Sequence, residues 1–299
     1  MLKNIFKAGF RSLTKNKTYS FLNIFGLAIG IACAGLIFLW VEDEVNFDSV
    51  HMKKNSLYEV QENWAYADGI RTYSSTPGML GPAMKTEIPG IANTCRATEG
   101  SQSLLFSIGN KHVYAGGSFA DSSLFDMFTL PFVQGNAKHP FAQPYSIVIT
   151  EKTARKFFGD EKNIVGRTVR VDKKQDYVVT GVLKDMPQNS SLQFEWVASF
   201  DVYFRQNSDW LKDWTSNGTT TYVELNPSVN PATVDKQLYN FIQQKAPTAL
   251  PHAFLFSMND WNLYADFANG KQTGGGRIEY VRLFTAIACI ILLSPASTS

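Results

Sequence analysis

Cysteine is scarce in this sequence, which contains 3 among its 299 residues. Cys33 and Cys289 lie inside apolar segments, so Cys95 is the only cysteine elsewhere in the chain. A lone cysteine has no partner for an internal disulfide, and the region around it must therefore be held together by a hydrophobic core. Hydrophobic residues make up 44% of the chain and aromatic residues 13%, which is sufficient to build such a core.

Motifs for catalysis are also missing. The sequence has no G-x-x-x-x-G-K-S/T loop for nucleotide phosphates, so we do not expect this chain to hydrolyse ATP or to act as an enzyme. Neither Ser122-Ser123 nor Ser190-Ser191 lies in a G-x-S-x-G motif. The histidines are scattered and belong to no H-E-x-x-H or C-x-x-C pattern, so we expect neither a metal site nor a cofactor. They are His51, His112, His139 and His252.

Charge gives equally little indication of a nucleic-acid partner. The net charge is +2, and no basic run occurs outside the N-terminal region. Proteins that bind nucleic acids usually carry a basic patch or stripe, so we expect no nucleic-acid partner.

The longest apolar stretch covers residues 21–41 (FLNIFGLAIGIACAGLIFLWV), in which Asn23 is the only strongly polar side chain. A membrane-spanning helix needs ~20 apolar residues, so we predict a transmembrane helix over residues 19–41. Basic residues without any acid precede it, whereas Glu42, Asp43 and Glu44 follow it, which places the N-terminus in the cytoplasm and the rest outside. A cleaved signal peptide fits less well, because its apolar core is only ~7–15 residues long and an A-x-A-like site should follow.

The residues before this helix have a basic side and an apolar side. Lys3, Lys7, Arg11 and Lys15 repeat at i, i+4 spacing, and apolar residues at helical spacing occupy the opposite face. This pattern is typical of a helix that lies in the membrane interface. We therefore predict a cytoplasmic amphipathic helix over residues 1–18, with the four basic side chains at the membrane interface. The alternative is a charged flank that only sets the topology.

Small residues form a stripe along the predicted transmembrane helix. Gly26, Gly30 and Ala34 follow one another at intervals of four residues. This spacing lets a second helix approach closely, so we predict helix packing at these three positions. The alternative is that glycine is simply common in membrane helices.

A second apolar run, residues 283–293 (LFTAIACIILL), follows Arg282 near the end of the chain. It is too short for a bilayer core of ~30 Å. It is either a buried core helix or the front half of a second membrane helix, and we favour the second because Arg282 suits the interface at its start. The sequence thus predicts an incomplete second transmembrane helix with a polar tail over residues 277–299, preceded by a flexible glycine linker at 274–276.

Between the apolar segments, strand-like and helix-like stretches alternate, which is typical of an α+β domain. We predict helices that start at Thr76-Pro77, at Thr150 and at Asn230-Pro231, since each has an N-cap residue or a proline at the first helical position. The second of these should end at Gly159. The third should carry four apolar residues on one face, namely Val234, Leu238, Phe241 and Ile242.

Two tripeptides, Asn189-Ser190-Ser191 and Asn217-Gly218-Thr219, match the N-glycosylation pattern. That pattern matters only in a eukaryotic secretory pathway. We therefore interpret both tripeptides as surface loops.

Two stretches resemble a known family. The opening LKNIFKAGFRSLTKNKTYSFLNIFGLAIGIACAGLIFLWVEDE resembles the start of MacB/FtsX-type ABC transporter permeases, especially the stand-alone form common in Bacteroidetes, and 47–60 is similar to the family's membrane-exit segment. Residues 146–200 are similar to the MacB-like periplasmic core domain, with ITEKTARKFFGDE, IVGRT, VTGV and DMP as the most specific parts. The family has Asn-Ser-His where this chain has Asn189-Ser190-Ser191.

The resemblance implies a membrane-anchored α+β fold: an N-terminal interfacial helix, a transmembrane helix, a large mixed α+β periplasmic domain of two lobes over residues 42–276, and the start of a second transmembrane helix. It implies a permease subunit in the bacterial inner membrane whose periplasmic domain transmits ATP-driven motion for efflux or for release of a substrate. The implied partners are a separate ABC ATPase, a second permease copy or paralogue, the lipid membrane and a periplasmic adaptor. Because the sequence ends within the second helix, we expect a truncated permease.

Two other functions remain open at this point. A sensor or ligand-binding ectodomain on a single anchor has the same layout, although a cytoplasmic signalling domain would be expected after residue 293. A membrane-tethered enzyme would need a convergent set of polar residues, which the sequence does not reveal.

Overall fold

The computed structural model describes residues 17–293 of the chain. These residues belong to two compact units. The helical unit takes the chain up to Asn46 and from Gly275 onward, and the large unit is Phe47–Gly274. Most of the predicted amphipathic helix and the polar tail at 294–299 lie outside the described residues.

In chain order, the helices of the described residues are α1 (Lys17–Val45), α2 (Leu80–Glu87), α3 (Leu124–Met127), α4 (Glu151–Phe158), α5 (Phe200–Gln206), α6 (Ser208–Leu211), α7 (Pro231–Leu238), α8 (Phe241–Lys245) and α9 (Arg277–Leu293). The strands are β1 (Leu57–Tyr66), β2 (Gly69–Tyr73), β3 (Ser75–Pro77), β4 (Ile91–Thr98), β5 (Gln102–Ile108), β6 (Lys111–Ala120), β7 (Phe132–Gly135), β8 (Ser146–Thr150), β9 (Thr168–Val171), β10 (Gln175–Leu183), β11 (Trp196–Ser199), β12 (Asn217–Leu225), β13 (His252–Ser257), β14 (Phe267–Ala268) and β15 (Lys271–Gln272).

The helical unit consists of α1 and α9. Within α1, Ser20–Val45 is long and apolar enough to cross a membrane, judged by length and composition. The rings of Trp40 and Phe284 meet edge to face with their centroids 5.2 Å apart. Nε of Arg277 lies 3.6 Å from Oε2 of Glu44. The apolar run at the end of the chain is therefore helical and packs against α1 within this unit.

Six strands of the large unit close into a ring. Strands β11, β8, β10, β9, β5 and β6 are successive hydrogen-bonded neighbours, and β11 pairs with β6 as well. In this closing parallel pair, Trp196 lies opposite Gly117. A Cβ atom on Gly117 would lie only 2.1 Å from the carbonyl oxygen of Trp196, so the ring closes through a position that only glycine can occupy.

The side chains of the ring alternate between two apolar clusters. Ile147 and Ile149 of β8 pack into one cluster together with Trp196. Val148, which lies between them, packs into another cluster with Leu57. This period of two is the normal consequence of β geometry, in which neighbouring side chains point to opposite faces.

An open antiparallel sheet continues from the ring in the order β6, β4, β12, β1, β13. Strands β4 and β6 share only the pair Ala97–Ala120, so the two parts of the sheet separate from there. Helices α2, α7 and α8 cover the open sheet and form its core with Val60 and Val223. The four apolar residues predicted on one helical face are all buried in this core, although two helices carry them instead of one.

The predicted helix start at Thr76-Pro77 is wrong. Thr76 and Pro77 belong to strand β3, and helix α2 begins only at Leu80. The Thr76 hydroxyl donates to the carbonyl oxygen of Thr219 at 2.9 Å and lies 2.8 Å from the hydroxyl of Thr221. The Thr76 hydroxyl, which the local sequence predicts to cap a helix, is therefore hydrogen-bonded to the distant strand β12 instead.

The predicted cap at Thr150 is confirmed. Its hydroxyl accepts the backbone N–H of Thr153 at 3.3 Å, and the helix ends at Gly159 with a φ of +68°. Replacing Thr150 by alanine should lower the free energy of unfolding by ~1 kcal/mol, because a helix N–H loses its acceptor. Chemical denaturation measures this change. Thr150→Ser keeps the hydroxyl and is the matched control, so an equal loss in both variants would contradict the capping role.

Candidate functional site: a buried polar cluster at the start of the large unit

The first residues of the large unit, Phe47–Ser56, are called the leading segment. Asp48 in this segment has a φ of +60°, a left-handed conformation that aspartate adopts more readily than most residues. It is only 1% exposed, and its backbone N–H donates to the carbonyl oxygen of Asn189 at 2.8 Å. Its carboxylate accepts two hydrogen bonds from Ser191, from the backbone N–H at 2.6 Å and from the hydroxyl at 2.5 Å.

His51 is the second buried polar residue of the leading segment. The backbone N–H of Thr129 donates to its Nδ1 at 3.2 Å, so we assign the proton to Nε2. Nε2 in turn lies 3.1 Å from the hydroxyl oxygen of Ser190. Burial lowers the pKa of His51 below its usual value of 6.5 and outweighs the opposite influence of the Asp48 charge. The ring is therefore neutral near pH 7.

Asp48, His51, Thr129, Ser190 and Ser191 together are called the Asp48 cluster. It contains a serine, a histidine and an aspartate, but their arrangement differs from that of a hydrolytic triad. In a triad one imidazole nitrogen faces the serine and the other faces the carboxylate. Here Nε2 faces both groups, with Asp48 Oδ1 at 4.0 Å, while Nδ1 accepts a backbone N–H. Because Ser190 is also only 2% exposed, this arrangement positions the chain and is not suited to nucleophilic attack.

Further contacts hold the outer side of the leading segment. The backbone N–H of Met52 donates to the hydroxyl of Thr129 at 3.0 Å. The ammonium group of Lys53 donates to the carbonyl oxygen of Asp126 at 2.9 Å and lies 2.8 Å from a carboxylate oxygen of Glu224. Exposed ion pairs contribute little to stability, so the buried cluster is the main attachment of the segment.

The interpretation of the two glycosylation-like tripeptides as surface loops holds for residues 189–191, which lie in a loop with Ser191 exposed, and is wrong for residues 217–219, which lie in a strand. In Asn189–Ser191, the buried Ser190 and the carboxylate-bound Ser191 hold Asp48 and His51 in place. In Asn217–Thr219, which lies in strand β12, Thr219 is fully buried. An asparagine followed by two serines also occurs in fully exposed turns, so the tripeptide alone does not indicate that Ser190 is buried. Only its distant partners Asp48 and His51 could have indicated this.

The residues predicted to pack helices lie in the helical unit. Ala34 is 1% exposed, and a Cβ atom on Gly30 would lie 3.4 Å from Cγ2 of Ile291 in helix α9. A Cβ atom on Gly26 would meet no atom within 4 Å. Lys3, Lys7, Arg11 and Lys15 lie outside the described residues. The packing and interface roles of these seven residues therefore stay predictions.

Across residues 17–293, no group of three or more His, Cys, Asp or Glu side chains is placed to hold a metal ion. Cys95 is buried, and burial raises the pKa of its thiol well above the usual value. A thiol of this kind is a poor nucleophile, because the reactive form is the thiolate.

Comparison with known families gives one match. The family described as MacB-like periplasmic core domain matches residues 20–240, which include most of α1, the leading segment and the loop at 189–191. No curated protein matches the chain.

Solved structures share the fold. A domain of a protein described as a permease from Porphyromonas gingivalis is 21% identical, with a TM-score of 0.59 over 78% of this chain and 98% of that domain. The periplasmic region of MacB from Actinobacillus actinomycetemcomitans is 16% identical, with a TM-score of 0.51 over 70% of this chain and 91% of that region.

The extracellular domain of the noncanonic ABC-type transporter YknZ from Gram-positive bacteria is also similar. It is 14% identical, with a TM-score of 0.50 over 67% of this chain and 99% of that domain. At these identities the likenesses establish the fold, and the predicted mixed α+β domain behind an apolar N-terminal helix is confirmed. The predicted division into two lobes stays a prediction.

Proposed function

Because this chain belongs to the MacB-like periplasmic core domain family, we propose that it acts as a permease subunit of a MacB/FtsX-type ABC transporter. In this role the large unit is periplasmic and transmits motion that ATP binding and hydrolysis cause in a separate ATPase subunit. The motion serves efflux or the release of a periplasmic or membrane substrate.

The Asp48 cluster is the observation that carries this proposal. The leading segment follows α1 directly in the sequence, since α1 ends at Val45 and Asp48 is three residues later. Any displacement of the end of α1 therefore acts first on Asp48. Hydrogen bonds to charged groups are the stronger ones in proteins, so the attachment of the Asp48 carboxylate to Ser191 suits the transfer of motion to the rest of the large unit.

The other connection between the two units is built differently. The chain leaves the large unit through Gly274-Gly275-Gly276, in which Gly274 and Gly276 have φ values of +75° and +115°. Glycine allows many backbone conformations, so this connection is compliant. A firm attachment at one end and a compliant one at the other supports transmission through the leading segment.

The remaining parts of the proposal concern location and partners. We place the chain in the bacterial inner membrane, with the N-terminus in the cytoplasm and Lys3, Lys7, Arg11 and Lys15 at the lipid interface. Its domains are then the amphipathic helix at 1–18, transmembrane helix 1 at 19–41, the periplasmic core at 42–276 and the start of a second transmembrane helix at 277–299. Gly26, Gly30 and Ala34 pack against neighbouring helices, and a second permease copy and a periplasmic adaptor complete the assembly.

Spin-label distance measurements test this proposal. The permease is co-expressed with a candidate ABC ATPase subunit and reconstituted in nanodiscs, with Asp160→Cys labelled in both copies. The exposed Cys33 and Cys289 are replaced by serine, whereas the buried Cys95 is kept. We expect ATP to change the distance between the two labels. Ser191→Ala should reduce this change by roughly half without stopping ATP hydrolysis, because Asp48 keeps only one of its two hydrogen bonds to Ser191.

Ser122→Ala is the matched control, since Ser122 is exposed and lies outside the Asp48 cluster. A reduction of the same size in this control would contradict the role of the cluster. If ATP changes no distance in the unsubstituted protein, transmission is wrong, and the single-anchor sensor becomes the better interpretation.

A further inference from the structure

A cleft opens in the large unit where strands β4 and β6 separate beyond the pair Ala97–Ala120. Its volume is about 240 Å³. The sheet forms one wall, and residues 191–194 of the loop after β10 form the other. The side chains that matter most for recognition are Thr98, Ser118, Leu192, Phe194, Thr220 and Tyr222.

The lining of this cleft contains no charged residue among the described residues that border it. Leu124, Leu192, Phe194 and Val197 supply apolar surface, and the other contacts are made by hydroxyl groups, small residues and Gln193, which is polar but uncharged. An ionised ligand would lose its hydration here without gaining a partner of opposite charge. The lining therefore fits an uncharged ligand.

Two hydroxyl groups in the cleft have no hydrogen-bond partner in the described part of the chain. They belong to Thr220, which is 7% exposed, and to Tyr222, which follows two residues later on the same face of β12. In contrast, the hydroxyls of Thr98 and Ser118 lie 2.9 Å apart and satisfy each other. Neither hydroxyl is among the fully buried side-chain atoms that lack a partner, so both are reached by solvent and are open to a bound molecule.

The position of Tyr222 is fixed before any ligand binds. Its ring packs edge to face on Phe128 at 5.3 Å and against Trp261 at 5.7 Å. Burial raises the pKa of its hydroxyl well above the usual value of 10, so the group stays protonated and can donate a hydrogen bond. The Thr220 hydroxyl can both donate and accept. A ligand amide, which has one carbonyl acceptor and one N–H donor, complements this pair.

We propose that this cleft binds an uncharged peptide segment, with an apolar side chain against Leu192 and Phe194 and a neighbouring amide on the hydroxyls of Thr220 and Tyr222. The volume suits part of a ligand and not a whole one, since complete small-molecule pockets usually measure ~300–1,000 Å³. The peptide therefore inserts one side chain and leaves its flanking residues outside.

The loop wall gives this site a mechanical consequence. The backbone N–H of Leu192 donates to the hydroxyl oxygen of Ser190 at 3.3 Å, and Ser191 holds Asp48. A peptide on Leu192 thus contacts the same loop that holds the leading segment. Binding itself does not depend on the proposed transport function, so either idea can fail without the other.

The test uses the full chain in nanodiscs, with empty nanodiscs subtracted, and saturation-transfer NMR with N-acetyl-leucinamide as the probe. We expect saturable binding of this amide. Tyr222→Phe and Thr220→Val, which remove only the hydroxyls, should each weaken the affinity about fivefold, as expected for one lost hydrogen bond. Tyr114→Phe is the matched control, because Tyr114 is exposed and lies outside the cleft lining.

Three comparison probes sharpen the result. N-acetyl-leucine, which is ionised at neutral pH, should bind at least about tenfold more weakly because the cleft offers no cation. Tighter binding of n-butanol or of methyl glucoside than of the amide would overturn the peptide assignment. The absence of any binding, or binding that neither hydroxyl variant weakens, would overturn the proposal and leave a cleft filled by solvent only.

Discussion

Replacing Asp48 by alanine should lower the free energy of unfolding of the large unit by about 4 kcal/mol. One part of this loss is electrostatic, because Ser191 would lose the carboxylate of the buried Asp48, which accepts both its N–H and its hydroxyl. Hydrogen bonds to charged groups are worth ~1.5–3 kcal/mol. The other part is conformational, because alanine at a φ of +60° costs ~1–2 kcal/mol. Urea denaturation followed by circular dichroism measures the sum.

Two companion variants separate these contributions. Asp48→Gly removes the carboxylate but relieves the backbone strain, so it should be more stable than Asp48→Ala by ~1 kcal/mol. Asp48→Asn keeps an acceptor oxygen and the tolerance for a positive φ, so it should lose only ~1–2 kcal/mol. If all three variants unfold like the unsubstituted protein, the Asp48 cluster contributes nothing to stability.

The size of this loss matters for the proposed function. If the hydrogen bonds of the Asp48 cluster broke at little cost in free energy, the leading segment would move alone and would not pass its displacement to the sheet. The cluster combines a buried carboxylate, a neutral imidazole and backbone groups, and the pairing leaves Asp48 and His51 both satisfied. Removing Asp48 or His51 takes a hydrogen-bond partner from the loop at 189–191, so the loss of one contact weakens the attachment as a whole.

Local features of the fold could be predicted from the sequence because their causes are local. Thr150 caps α4 three residues ahead of its bonded N–H, and Gly159 ends the helix in a conformation that favours glycine. The apolar periodicity at Val234 and Leu238 likewise indicated the buried face correctly. In each case the pattern and the interaction lie within a few residues of one another.

Other features depend on partners that are far away in the sequence. Thr76 has the local signature of a cap, but its hydroxyl is bonded to Thr219, 143 residues later. The ring is closed by the pairing of β11 with β6, which no local sequence pattern predicts. The candidate site has the same character, because His51 and Ser190 are 139 residues apart. Only the fold brings them together.

Glu62 gives the large unit an unusual dependence on pH. Its side chain is 0% exposed, and Oε2 accepts hydrogen bonds from Nε1 of Trp64 at 3.0 Å and from Nδ2 of Asn217 at 2.6 Å. Oε1 has no partner among the described residues. Burial raises the pKa of Glu62 from 4.5 to about 7, although both hydrogen bonds act in the opposite direction.

The stability of the large unit should therefore fall as the pH rises from 4.5 to about 7. In this range the folded state binds more protons than the unfolded state, so deprotonation favours unfolding. The full effect of Glu62 is about 3 kcal/mol, since one pKa unit corresponds to ~1.4 kcal/mol. Glu59 on the same strand also has its pKa raised to about 7 by burial. It therefore adds to the fall of the unfolding free energy with rising pH in the unsubstituted protein.

Glu62→Gln isolates the share of Glu62, because glutamine cannot ionise. In the unsubstituted protein, Glu62 lowers the free energy of unfolding by about 3 kcal/mol between pH 4 and pH 8. This loss should be absent from the Glu62→Gln protein. His51 and Glu59 titrate in both proteins, so their contributions cancel in this comparison. Glu161→Gln, which removes an exposed carboxylate at the surface, should leave the slope unchanged. Equal slopes in the Glu62→Gln and unsubstituted proteins would show that Glu62 is ionised in the folded state as readily as in water.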